Sequence, residues 1–492
     1  MQSLGSQIGG LAQLGVFVYL LRLVLQRIST VVLCGLSLPS LTLAANLYVA
    51  QVYSGNGSGS SASNACQGLT DPSCTPAPGD TVFLCGPLQP PVELHNRAGT
   101  SSLPITYDWS CPGGTPATVT LTGTTPYGFL IQDSHYLVIR NVSITGPTSN
   151  TGLYGAQLVT RSVTHIQMYS TVTQSNTESS PTPGATRGHG LFIAGGSSYI
   201  TSVGAISRNN YGHGIRVQNS SIPNTHHITI DKCVAHGNRR GGVSLDGTAT
   251  DPYLIQHVVI SRCRTFANGD GIYSHMAANV IIRENISYYN SRLAFPMLGE
   301  SYGIGSEMSP YITIQGNVVY ENESDGIEVW GNSQNRTVGC RILNNTVFGH
   351  RHYTANNASG NNGIEERTGY GGACIISGNT SFDNIRNYKL ANDSTETSVF
   401  SNNISRGGEV GLYIDKSNEP GNDAFGGWQI VGNIFEAESQ YWIYAVPSVN
   451  TSAFSLNAFR GPGKAWYNGQ EYRESTIYKL DSTAKTNQTV EY

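Results

Sequence analysis

The stretch YGIGSEMSPYITIQGNVVYENESD, from Tyr302 to Asp325, constrains this chain more than any other, because it is one unit of a repeat. A short apolar strand opens at Gly303 and Ile304, a polar turn follows, Ile312 and Ile314 mark a second strand, and Asn317 and Asn322 punctuate what comes next. The same parts recur in the same order from Asp270 (DGIYSHMAANVIIRENISYYN) and begin again at Asp325 (DGIEVWGN). A unit this short cannot bury its own apolar face, so its neighbours must stack on it, and the chain reads as a solenoid.

Two independent alignments give one register. On the first strand, HGLFI at His189, HGIRV at His213, GGVSL at Gly241, DGIYS at Asp270, YGIGS at Tyr302, DGIEV at Asp325 and NGIEE at Asn362 superpose. On the second strand, an asparagine follows the last inward apolar residue at Asn285, Asn317, Asn345, Asn379, Asn403 and Asn433, with Cys233 and Cys263 in that place on earlier rungs. A further column comprises Asn238, Asn268, Asn290, Asn322 and Asn384. Asparagines stacked at a bend satisfy one another's amides and the backbone, so the many N-x-S/T triplets read as ladder chemistry and not as glycosylation. The intervals between rungs leave room for three strands with variable turns, and no 3.6-residue period argues for helix.

A single array accounts for 492 residues that would otherwise fill two or three domains. Charged residues make up only 12% and the net charge is -4, which offers no basic surface to nucleic acid. Glycine (57) and tyrosine (27) are plentiful, as in extracellular all-β proteins. Arg22 and Arg27 precede an apolar run from Thr30 to Leu43 that ends in small residues, so 1–45 reads as a signal peptide cleaved near Ala44 or Ala45, or as a retained N-terminal anchor. Without a retained leader no membrane span is expected.

Residues 46–124 read as an N-terminal cap with the first coils, 125–450 as the body, and 451–492 as a closing segment. With Cys34 in the leader, eight cysteines remain. Cys66 with Cys74 and Cys85 with Cys111 are placed to staple the loop-rich N-terminal part. Cys233 and Cys263, like Cys340 and Cys374, fall on neighbouring rungs about 4.8 Å apart, a spacing that suits either a disulfide or a reduced buried stack. The long excursions Ser175–Thr186, Ser291–Glu300 and Arg351–Asn361 are expected to wall a groove.

The Gly-Ile-x-Val and Ile-x-Ile-x-x-Asn pattern resembles the right-handed parallel β-helix superfamily of pectate-lyase-like form, over about residues 46 to 475. The closing FRGPGKAWYNGQEY, Phe459 to Tyr472, resembles the terminal strand of secreted members. The resemblance implies an all-β single domain of about 10–12 coils, secreted, monomeric, and directed at a carbohydrate polymer. Gly-His-Gly occurs twice, but no pectate-lyase or alginate-epimerase motif is present, so the reaction stays open.

Alternation along the first strand points one set of side chains outward. The central column reads Arg216, Ser244, Tyr273, Gly305, Glu328, Glu365, and the next reads Gln218, Asp246, His275, Glu307, Trp330, Arg367, flanked by Asp270, Tyr302 and Asp325. A solvated strand face is polar in any case, yet stacked like charges repel and an outward Trp330 has no packing reason in the sequence. Aromatic faces for pyranose rings and carboxylates for hydroxyls or protons make this strip the candidate site, with its acids expected to face water.

Glu307 and Glu328, one rung and two positions apart, have backbone origins roughly 8 Å apart, which suits an inverting hydrolase, whereas Glu328 and Glu365 are direct neighbours nearer the retaining distance. His275 beside Glu307 is expected to tune it, and Asp246 to orient His275. Trp330, Tyr273, Arg216, Asp270, Asp325, Glu365 and Arg367 are candidate substrate contacts. The leading reading is a glycoside hydrolase with paired carboxylates and no required cofactor. The alternatives are a Ca²⁺-dependent polysaccharide lyase, with Asp246, Asp270, Asp325 and Glu328 as oxygen ligands, and a non-catalytic glycan-binding solenoid. Glu366 falls in an inward column with Ser274 and Ser306, read either as a polar patch beneath the site or as a register break.

Overall fold

The computed structural model describes residues 44–483 except 53–54, 150–154, 178–187, 220–222, 249–250, 292–300, 332–336, 352–359, 368–372, 391–396, 416–426, 437, 446–452 and 468. The leader up to residue 43 and the bulk of the three loop excursions lie outside the described residues. Among the described residues no helix is long and apolar enough to cross a membrane.

One coil runs from a strand at Asp270–His275 through Ala278–Arg283 to Ile286–Tyr288. Each strand pairs in parallel with its equivalent one coil on, so that Ile272 lies beside Ile304, Ile282 beside Ile314, and Ser287 beside Val319. The result is three sheets of 15, 16 and 14 strands, called here the site sheet, the groove sheet and the narrow sheet. Removing the antiparallel last strand, Gln470–Tyr472, from the 15-stranded sheet leaves fourteen parallel rungs among the described residues, more than the 10–12 coils the repeat suggests. The additional rungs lie where the motif is irregular. Val92–His95 already pairs with Tyr127–Gln132 inside the segment read as cap.

The interior is a set of apolar columns, one residue per coil. Ile215, Val243, Ile272, Ile304, Ile327 and Ile364 stack under the site sheet, and Ile230, Ile260, Ile282, Ile314, Ile342 and Ile376 under the groove sheet, all fully buried. The rung glycines stack beside the first column because nothing larger fits. A Cβ on Gly271 would lie 2.3 Å from the Gly303 carbonyl oxygen, and one on Gly326 would lie 2.5 Å from that of Gly363.

Between groove and narrow sheets the chain turns on one left-handed residue, such as Glu284 (φ 58°) or Asn344 (φ 55°), and the next residue is the buried asparagine. Such a bend leaves backbone groups inside without a strand partner. The asparagine column supplies them. Asn317 accepts from the Asn285 backbone N–H at 2.9 Å and from its Nδ2 at 3.0 Å, and donates to the Ile282 carbonyl and to Asn345 Oδ1. The column continues through Asn379, Asn403, Asn433 and Asn457 and stops at Asp481, whose carboxylate accepts both Asn457 bonds. A carboxylate ends the series because it accepts without requiring an acceptor of its own. A second ladder runs from Asn176 through Asn210, Asn238, Asn268, Asn290 and Asn322 to His350 and Asn384, and Asn387 and Ser405 then meet the buried Glu438. Asn285, Asn322, Asn379 and Asn403 begin N-x-S/T triplets, yet their side chains are consumed inside.

Four disulfides join Cys66–Cys74, Cys85–Cys111, Cys233–Cys263 and Cys340–Cys374, the last two between neighbouring coils with Cα atoms 4.4 and 4.7 Å apart. A chain so bonded belongs to an oxidising, extracytoplasmic compartment.

Two predictions follow from the ladders. Asn317→Leu should lower the unfolding free energy by about 1–3 kcal/mol, read from denaturant melts, because it strands the Asn285 N–H and the Ile282 carbonyl. Glu438 is raised from 4.5 to about 7, chiefly by burial. A raised folded value means the folded state holds the proton more tightly, so this contribution to stability is complete below about 4.5 and is lost as pH rises through about 7. Glu438→Gln should flatten that part of a melting-temperature profile. An unchanged slope would show that Glu438 does not carry it.

Candidate active site

The outward columns of the site sheet align as the sequence predicts. Arg216, Ser244, Tyr273, Gly305, Glu328 and Glu365 are successive register partners, as are Gln218, Asp246, His275, Glu307, Trp330 and Arg367. The side chains do not all face water. Glu328, Glu365 and Asp325 are 2%, 0% and 3% exposed. They are covered because the column continues one rung further to Lys389, whose Nζ lies 2.8 Å from Glu365 Oε1, while Arg367 folds back over both glutamates.

This cluster is the densest charge in the strip. One carboxylate oxygen from each of Asp325, Glu328 and Glu365 lies within 4.8 Å of the other two. Three carboxylates face two cations, and the remaining repulsion is relieved by holding protons. Glu328 rises to about 7 through burial and the Glu365 charge, against the pull of Arg367 and a hydrogen bond from Tyr302. Asp325 is pushed well above the usual carboxylate range by burial and by Glu365 and Glu328. Arg367 is held more firmly protonated, since the two glutamates outweigh its own burial. Glu328 Oε2 is buried with no hydrogen-bond partner, and the three oxygens can coordinate a divalent cation such as Ca²⁺.

Glu307 stands apart, half-buried, one coil back. Tyr273 hydrogen-bonds to it, and burial with the Glu307 charge pushes that phenol well up. Gly305 lies between Tyr273 and Glu328 because two rings pass over it: a Cβ there would meet the Tyr302 ring at 2.6 Å and the Tyr273 ring at 3.0 Å. Each of the two expected catalytic carboxylates therefore has its own tyrosine. His275 stacks on Tyr273 with ring centroids 6.1 Å apart, and Trp330 is the register partner of Glu307.

Other expected roles change. Asp246 does not orient His275. Its Oδ2 takes the Arg216 Nε at 2.7 Å and the Ser244 hydroxyl at 3.1 Å, because the shorter Ser244 leaves the guanidinium free to span one coil. Arg216 is buried and also meets His189 Nε2 at 3.0 Å. Asp270 and Asp325 pin coils together: Asp270 accepts from the Ser301 N–H at 2.8 Å, and Asp325 from that of Asn362 at 2.7 Å. The two Gly-His-Gly histidines do the same work, His189 Nδ1 accepting from the His213 N–H and His213 Nδ1 from that of Gly241. Burial first, then Arg216, holds both imidazoles well below their ordinary range, and hence neutral. Glu366 is inward and fully buried in unbroken register between Val329 and Leu390, with no slip of the strand.

Comparison with known proteins adds the following. A family model described as NosD, periplasmic copper-binding protein, matches residues 166–366. No curated protein matches the sequence. Among solved structures, the mannuronan C-5 epimerase AlgE4 A-module of Azotobacter vinelandii aligns at 14% identity and TM-score 0.48, over 71% of this chain and 91% of that one. XylC in complex with xylose aligns at 12% and 0.47, over 90% and 86%. Pectate lyase Pel9A aligns at 14% and 0.34, over 84% and 79%. Likeness at this level concerns architecture alone, and the assignment stands on the three parallel sheets and their register. The chain is a right-handed parallel β-helix.

Motif alignment along this β-helix missed Lys389 and Asn362, whose amide donates to Glu365. The strand Arg386–Leu390 carries Asn387 where other rungs carry glycine, so the motif ends one rung before the column does. Continuing the register by spacing alone would have reached Lys389. Lys389→Met should cost about 3 kcal/mol, because it removes one of the two cations that compensate the buried Glu365. Adding Glu365→Gln should recover much of that loss in a double-mutant cycle, and additive losses would show the ion pair to be unimportant.

Proposed function

We propose that this β-helix is an extracytoplasmic polysaccharide-cleaving enzyme, a glycoside hydrolase in which Glu328 is the general acid and Glu307 the general base. The observation that carries the reading is Glu328 raised to about 7 in a buried cluster, beside a half-buried Glu307 one coil away. Two carboxylates in environments this different can divide acid and base roles at neutral pH. Protonated Glu328 gives its proton to the glycosidic oxygen as the bond to the anomeric carbon breaks. Glu307 takes a proton from the water whose oxygen bonds to that carbon. Tyr273 and Tyr302 orient the carboxylates, and Trp330 offers a face for a sugar ring. With Glu328 and Asp325 holding protons, Arg367 and Lys389 are matched by Glu365 and Glu307, a balance that favours a neutral or weakly charged glycan.

The cation-dependent lyase is the second reading, supported by the same three oxygens. Asp325, Glu328 and Glu365 would hold the ion, and its chemistry would be to neutralise a uronate carboxylate. Ca²⁺ takes six to eight oxygens, and Lys389 and Arg367 already lie against Glu365, so the donor set is lean. An all-carboxylate set suits a hard cation better than the copper named in the family description, and Cys233, Cys263 and Cys340 within the matched stretch are in disulfides.

Glu307→Gln and Glu328→Gln should each lower kcat on the cleaved glycan by roughly 10² or more. Turnover should fall as pH rises through about 7, because Glu328 must be protonated, and Arg367→Met should move that limb upward by removing a charge that lowers it. Near-full turnover in both Gln variants would remove the pair from the mechanism. Products with unsaturated ends, abolished by chelation and restored by Ca²⁺, would establish the lyase. Binding across a glycan panel with no turnover would leave a binding solenoid.

A further inference from the structure

The groove sheet, a different face of the coil from the carboxylate site, carries a groove of about 630 Å³. Its floor is the outward column Gln167, Thr201, Thr229, Val259 and Ile281, aligned one residue per coil. One wall is a row of rings: Tyr136, His165, Tyr199, His227 and His257, with consecutive centroids 4.5, 4.6, 4.7 and 4.9 Å apart.

These rings occupy a position that does not suit them. All five have φ between 54° and 56°, left-handed backbone that bulky residues rarely adopt and that asparagine, found there at Asn279, takes easily. The ladder skips them in step: Thr164 pairs with His135 and Ile166 with Leu137, so Tyr136 and His165 lie opposite each other and the one-for-one register is kept. Repeating a costly conformation on five neighbouring coils turns one ring per coil outward beside the floor. Stacking offsets part of the strain but does not require the rings to be exposed, as Tyr199 is at 44%.

The lining also limits the ligand. Among the described residues no Asp, Glu, Lys or Arg lines the groove. Beside the groove, His226 Nδ1 and His227 Nδ1 lie 2.8 Å apart, a bond in which one ring nitrogen accepts, and burial with the neighbouring imidazoles lowers His226. The floor is polar at Gln167, Thr201 and Thr229 and aliphatic at Val259 and Ile281, and ring edges present nitrogen and hydroxyl groups at the coil spacing. An elongated, uncharged ligand that carries both hydroxyls and apolar faces matches each of these features. We propose that the groove binds a run of neutral glycan lengthwise, as a second carbohydrate site separate from Glu307 and Glu328. The choice of a glycan rests on the polysaccharide reading above; the charge and shape of the ligand rest on the groove.

The test uses the full chain carrying Glu328→Gln, titrated calorimetrically with cellohexaose, xylohexaose, mannohexaose and hexagalacturonate. At least one neutral hexasaccharide should bind. Thr229→Arg, a half-buried floor substitution that a strand tolerates, should weaken that binding about tenfold, and Tyr199→Ala with His227→Ala should do likewise. In the chain with native Glu328, Thr229→Arg should leave kcat on the shortest cleavable fragment unchanged while raising KM for the polymer. Binding unaffected by both groove variants, binding of hexagalacturonate alone, or no binding of any neutral hexasaccharide would overturn the proposal. Should Glu328→Gln turn over normally while the groove variants still lose binding, the catalytic reading fails and the groove stands.

Discussion

The structure depends on one constraint: at each bend between groove and narrow sheets, backbone groups enter the interior with no strand to pair with. The buried asparagine answers it with a side chain that both donates and accepts, so every coil both supplies the coil before it and requires the coil after it. Such a series needs an end. Asp481 ends this ladder and Glu438 ends the second one, each a carboxylate that receives the last donors. Apolar columns supply most of the burial, but they would tolerate slippage along the strands. The ladders do not, because a shift of one residue exchanges inside for outside and breaks both.

The same register builds the site. Parallel coils place equivalent side chains about 4.8 Å apart, so neighbouring acids in one column are forced together. Glu328 and Glu365 are tolerated because Arg367 and Lys389 lie against them and because protons are held where the cations fall short. Chemistry near neutral pH thus arises from a stacking rule that elsewhere in the molecule produces only structure. At Asp270, Asp325, His189 and His213 that rule yields coil-to-coil acceptors, which is why acids and histidines on the strip are not equivalent.

The sequence alone determined the solenoid, its register and both asparagine columns, because a repeat whose period equals one coil writes each contact as a spacing. It also determined which residues share the outward columns, from Arg216 to Arg367. Only the tertiary structure decided which of those side chains see water. Burial of Glu328 depends on Tyr302 and Arg367 closing over it, and a side chain's direction is not fixed by its place in a repeat. The left-handed rings of the groove sheet were hidden for a related reason: a left-handed residue at Tyr136 or His165 leaves the apolar pattern intact on either side. That conformation shows only when the strands are paired.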